Sequence, residues 1–170
     1  RLNTDNFEFC CELKYDGASV NLLYEDGMLL RALTRGDGTQ GDNITNNIKT
    51  IKSVPIKLNK FFLNKFEIRG EIIIENDSFD QLNRKREKLG EPLFKNPRNT
   101  ASGSIKLLDS DEVARRPLEC FLYSIVSDEV KIKNHSDLLS IAREMGFDVP
   151  KYERVVDGLN GVRDYIDFWD

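Results

Sequence analysis

The sequence runs to 170 residues, with 39% apolar and 32% charged side chains and a formal net charge of −4. That length can bury a real core without disulfide or metal staples. No stretch approaches the ~18 apolar residues of a membrane span, and the negative balance argues against a simple basic nucleic-acid binder. An enzyme whose cations gather in one cleft is still allowed.

The three cysteines have no zinc-ligand spacing, and the one histidine, His135, builds no site alone. Buried thiols in a reducing, cytoplasmic setting are therefore expected. The chain starts at Arg1 without a methionine and stops at Asp170. A single domain over 1–170, cut at both ends, is the expectation.

Phe7 to Tyr15 alternates with period two, which predicts a half-buried strand. One face carries Phe7, Phe9, Cys11, Leu13 and Tyr15; the other carries Glu8, Cys10, Glu12, Lys14 and Asp16. Gly17 ends the run, so Lys14 stands at the mouth of something. A solvated charged face explains the pattern as simply as a nucleophile does, and the rest of the chain has to decide.

Ser19–Tyr24 and Met28–Thr34 flank Glu25-Asp26-Gly27, a strong hairpin signal. Gly36-x-Gly38-x-x-Gly41 follows. It matches the dinucleotide-binding fingerprint, but its preceding strand belongs to a hairpin, and Pro55 to Phe62 supplies no acidic residue. The loop is read instead as exposed backbone beside Arg35, suited to a phosphate. A short helix is expected over Asn43–Ile51 and a short strand over Val54–Leu58.

Lys65–Glu75 reads as a strand with Glu67, Arg69, Glu71 and Glu75 on one face and Ile68, Ile72 and Ile74 on the other. That charged face is expected to meet Glu12, Lys14 and Asp16 across a cleft. Asp77–Leu89 is helical, capped by Asp77 or Ser78 and stopped by Gly90. Its Arg84-Lys85-Arg86 run is read as a solvated face.

Pro97 fits a helix start. Arg98 and Lys106, eight apart, would project about 80° from each other on that helix. They suit successive phosphates and ordinary surface positions equally. Asp109–Pro117 is a polar connection, and Leu118–Val126 an apolar strand. Ser136–Met145 is a helix capped by Ser136, Val149–Val155 a strand, and Leu159–Trp169 a last helix. Hairpins and helices mix without βαβ alternation. The fold class is thus α+β: two small antiparallel sheets flanked by helices, with a nucleotide-binding cleft between them.

Lys14-Tyr15-Asp16-Gly17, then Thr34 to Thr45, then Glu67 to Glu71, then Asn96 to Ser104 resembles the nucleotidyltransferase (adenylation) domain of bacterial NAD-dependent DNA ligases. The likeness is close from Phe9 to about Val126 and weaker beyond. Lys-x-Asp-Gly alone is shared with ATP-dependent ligases and capping enzymes. Arg35-Gly36-Asp37-Gly38 and Asn96-Pro97-Arg98-Asn99 point to the NAD-dependent branch.

The resemblance implies that Lys14 becomes adenylated, with Asp16 as its catalytic neighbour. It further implies that Glu12 contacts the adenine, Arg35 the nucleotide, and Glu71 the ribose. Arg98 and Lys106 would face DNA or phosphates, although the family usually has arginine at position 106, and lysine lacks the bidentate fork. NAD and Mg²⁺ are the implied cofactors and nicked double-stranded DNA the implied partner. A monomer with no membrane association is expected.

The implied reaction puts AMP on Lys14, passes it to the 5′-phosphate of a nick, and lets the 3′-hydroxyl displace it. Only a neutral amine attacks, so burial, nearby cations or the nucleotide's metal are expected to favour that form. The nicotinamide mononucleotide site, a second essential lysine and later domains of the family are not in this sequence. Weak nucleotide binding and no nick sealing are therefore expected of it. The alternatives are an ATP- or GTP-dependent nucleotidyltransferase, or a non-catalytic nucleic-acid-binding module.

Overall fold

A computed structural model describes residues 7–37, 40–60, 63–127, 132 and 134–170. The elements run β1 (Glu8–Cys11), β2 (Ala18–Glu25), β3 (Met28–Thr34), α1 (Thr45–Ile48), β4 (Lys65–Ile73) and α2 (Asn76–Lys88). They continue with α3 (Pro97–Ser104), α4 (Ser110–Ala114), β5 (Glu119–Val126), α5 (His135–Met145), β6 (Arg154–Asp157) and α6 (Gly158–Asp167). Two antiparallel sheets result: a four-stranded one ordered β3-β2-β4-β5, and a pair, β1-β6. The α+β architecture read from the pattern is the one observed.

The β2–β3 hairpin forms because Asp26 and Gly27 both accept positive φ, 50° and 73°. This is the backbone twist a two-residue turn needs to match its strands. In β2 and β4 alternate residues face the core: Val20, Leu22 and Tyr24 in one, Phe66, Ile68 and Ile72 in the other, none more than 2% exposed. Tyr24 stacks on Phe66 at 5.5 Å and donates its hydroxyl to the Pro55 carbonyl at 2.6 Å. Leu139, Ala142 and Met145 of α5 join the same core.

A bulge in β5 reshapes the other face. Arg69 pairs with Ser124 but Gly70 with Leu122, so Tyr123 is the extra residue. The slip returns Ile125 to the core opposite Ile68.

Several expected elements differ. The strand from Phe7 stops at Cys11, because its partner β6 is four residues long and Cys11 opposite Arg154 is the last pair. Glu12 to Asp16 is therefore irregular chain outside any sheet. Val54–Leu58 makes only an isolated bridge, Met28 with Lys57. The expected strand at Val149 begins later, at Arg154.

The helix expected over Asn43–Ile51 spans only Thr45–Ile48, and the polar connection holds α4, capped by Asp109. Glu75 and Asn134, rather than Asp77 or Ser78 and Ser136, occupy the caps of α2 and α5. Helix α3 does start at Pro97, with the Asn96 side chain accepting from the Asn99 N–H, but it ends at Ser104, so Lys106 lies beyond it. In the Arg84–Arg86 run, Arg86 is committed to Glu91, the Pro92 carbonyl and the Phe94 ring.

Asn47 pins the turn that carries Lys106. Its buried amide donates to the carbonyls of Ile105 and Leu107 at 2.8 and 2.7 Å, and its oxygen accepts from Ser110 at 2.8 Å. Asn47→Ala leaves those carbonyls unpaired, and chemical denaturation should show a loss of about 1–3 kcal/mol. A change under about 0.5 kcal/mol, typical of surface positions, would count against this role.

Candidate active site

Residues 12–17 leave the two-stranded sheet and enter the four-stranded one, and two contacts hold them. Tyr15 stacks on Phe121 of β5, ring centroids 4.7 Å apart. Gly17 packs against β4 so closely that a Cβ there would land on the Ile72 carbonyl and 2.9 Å from Ile73 Cγ2. Its N–H donates to Oε1 of Glu71 at 3.1 Å. Gly17 is needed here for close approach, where the sequence suggested only a strand end.

Lys14 sits between these anchors, exposed but lining a cleft of about 800 Å³. The cleft floor is a row across three strands: Ser19, Glu71 and Phe121 are register partners and so share one face. Ser19 also meets the Tyr123 hydroxyl at 3.1 Å across β4.

Glu12, Lys14, Arg35, Glu71, Arg98 and Lys106 all line this cleft. Asp16 stands beside it, paired with Arg98 at 2.5 Å. Lys106 pairs with Asp42 at 2.9 Å. Both pairs are about half exposed, so they orient the cations more than they stabilise the fold. The Arg35 N–H donates to the Ser19 carbonyl at 3.2 Å, fixing the start of the glycine loop, while Gly38 lies outside the described residues.

Of the charged lining residues four are cationic and two acidic, in a chain of net charge −4. Such a local excess attracts phosphate. The broad charged face expected of β4 contributes only Glu71 to this lining; Glu67 accepts from Asn21 at 2.8 Å instead.

Burial pushes the Glu71 carboxyl above the usual carboxylate range, and Asp16 adds to the rise. The Gly17 N–H, Lys14 and Arg98 oppose it. At the other acidic lining residue, His135 Nε2 meets Glu12 Oε2 at 2.6 Å. Neither His135 nor Tyr123 was legible beforehand. One lies 123 residues from its partner, and the other is placed by a bulge. Cys10 and Cys11 are half-buried rather than buried; only Cys120 is enclosed, its thiol pushed up to about 12 by desolvation.

The family model of the NAD-dependent DNA ligase adenylation domain matches residues 1–170. The chain belongs to the NAD-dependent DNA ligase adenylation domain family. The match extends over the C-terminal third, where the motifs alone gave little.

Among its relatives, a DNA ligase of Flavobacterium psychrophilum is 54% identical over 163 residues, covering 96% of this chain and 24% of the relative. DNA ligases of Flavobacterium johnsoniae and Bacteroides fragilis are 50% and 47% identical, over 99% of this chain and 25% of each relative. The chain spans about a quarter of the length of the curated relatives it matches. In this NAD-dependent ligase adenylation domain the glycine fingerprint follows an antiparallel hairpin, so it is not a dinucleotide-binding βαβ unit.

The raised Glu71 carboxyl sets a pH dependence. Below the ordinary carboxylate range the group is protonated folded and unfolded alike, and its burial costs nothing extra. As pH rises the unfolded chain ionises first, so the folded state loses ground until pH passes the raised folded value. Glu71→Gln, which keeps an acceptor for Gly17, should be near neutral at about pH 3.5 and stabilising at about pH 7.5. Thermal melts at both values check this; a variant less stable at the higher pH would contradict it.

Proposed function

We propose that this chain is the catalytic core through which an NAD-dependent DNA ligase charges itself with AMP. Lys14 Nζ bonds to the α-phosphorus of NAD, the bond from that phosphorus to the bridging oxygen breaks, and nicotinamide mononucleotide leaves. The product is lysyl-AMP. AMP then passes to the 5′-phosphate of nicked double-stranded DNA, and the 3′-hydroxyl displaces it. The observation that carries this reading is Lys14, clamped through Tyr15 and Gly17, at the mouth of a cleft with three further cations.

Each lining residue has a task suited to its chemistry. Arg35, Arg98 and Lys106 neutralise phosphate charge, and Asp16 holds Arg98 in place. Glu71, on the cleft floor, accepts from the ribose, and Glu12 from the adenine. Asp16 and Glu71 flank the lysine with the hard oxygen ligands that Mg²⁺ takes, and bound there it would supply further neutralisation of the phosphates. Arg98 and Lys106 also offer contacts to the DNA backbone.

No helix among the described residues is long and apolar enough to cross a membrane. A cytoplasmic monomer suits the reading. Net negative charge disfavours the non-catalytic nucleic-acid module, and the family's name favours NAD over ATP or GTP.

Labelled NAD, ATP and GTP, each carrying the label in the α-phosphate, test this. In the full-length protein, NAD should leave alkali-stable, acid-labile label, the mark of a P–N bond, on the wild type and none on Lys14→Ala. Arg98→Ala should slow loading by about 10²-fold, as loss of one charge-stabilising donor typically does. Label persisting in Lys14→Ala, or arriving only from ATP or GTP, would overturn the proposal.

A further inference from the structure

Beside the cleft, three donors of different kinds come together, two from one short segment and one from 123 residues away. Cys10 Sγ on β1, a Glu12 carboxylate oxygen and a His135 ring nitrogen on the first residue of α5 all lie within 4.8 Å of one another. Cys10 lies on β1 and Glu12 just past its end, and their donor atoms converge. His135 Nε2 already faces the carboxylate, 2.6 Å from Oε2.

Glu12 Oε1 is buried with no hydrogen-bond partner. So is Oε2 of Glu153, whose charge also bears on the Cys10 thiol. The other oxygen of Glu153, Oε1, is bound by Arg143. Buried carboxylate oxygens left in this condition are rare and call for an explanation.

We propose that Cys10, Glu12 and His135 form a binding site for a zinc-class divalent cation, and that the ion, by engaging Glu12, opposes nucleotide binding in the cleft. A mixed sulfur, nitrogen and oxygen donor set selects zinc-like ions over magnesium or calcium. On a tetrahedral zinc, bond lengths of about 2.0–2.3 Å put donors roughly 3.3–3.7 Å apart. The ion would therefore open the short Glu12–His135 contact slightly and draw in the thiolate. All three residues are half-buried, so an ion has a way in, and three protein ligands leave a fourth position for water. Binding displaces the thiol proton. The competition with nucleotide rests on the function proposed above; the ion site does not.

Cobalt(II) titration of the metal-free chain, without nucleotide, tests the site directly. One equivalent should bind with a thiolate-to-cobalt charge-transfer band. Cys10→Ser should abolish the band, and His135→Ala should weaken binding by at least about tenfold. Cys11→Ser, on the opposite face of the strand, should change neither, and circular dichroism should show each variant folded. No band, or a band that survives Cys10→Ser, would overturn the site.

In a second arm, on the full-length protein, zinc should weaken NAD binding to the wild type but not to Cys10→Ser. Equal NAD affinity with and without zinc would overturn the competition alone. No NAD binding under any condition would count against the proposed function, and the cobalt result would still decide the ion site.

Discussion

The placement of Lys14 depends on a contact that excludes a side chain. The backbone at Gly17 lies directly on the Ile72 carbonyl of β4, and any Cβ would have to push the strand away. Glu71 closes the contact by accepting the Gly17 N–H, and Tyr15 seats the upstream half on Phe121. A segment outside any sheet is thereby held at two points against a rigid one. Its lysine gains a defined position without being buried.

The clamp also organises the charge. Glu71 is at once the acceptor for Gly17 and part of the cleft floor, so fixing the segment and shaping the site are one event. Arg98 and Lys106 arrive from a helix and the turn after it, each steered by an aspartate from elsewhere in the chain. The Asn47 hydrogen bonds hold that turn from beneath. An acidic chain thus presents a locally cationic cleft, because tertiary packing collects the cations while much of the acidic excess lies elsewhere on the surface.

Much of this was legible in the residues. Asp26-Gly27 named its hairpin, Pro97 its helix start, and the alternation in β4 its buried face, because turns, caps and pleats are local. The boundaries that failed were those set by a partner. Nothing within Phe7 to Tyr15 says that β6 is four residues long, so the strand was read past Cys11. Lys106 was read onto a helix that ends at Ser104, since the turn is enforced from Asn47, 59 residues earlier.

By itself, then, the sequence determined the α+β class, the hairpin, the membership suggested by four ordered motifs, and the residue types fit for nucleotidyl transfer. The tertiary structure alone decided that Lys14 is clamped on a segment outside any sheet rather than carried at the end of a strand. It alone brought Ser19, Tyr123 and Phe121 to the cleft floor and His135 to Glu12. The physical reason is range. Propensity and periodicity act over a few residues, whereas strand register, a bulge and a contact across 123 residues exist only once distant segments have packed.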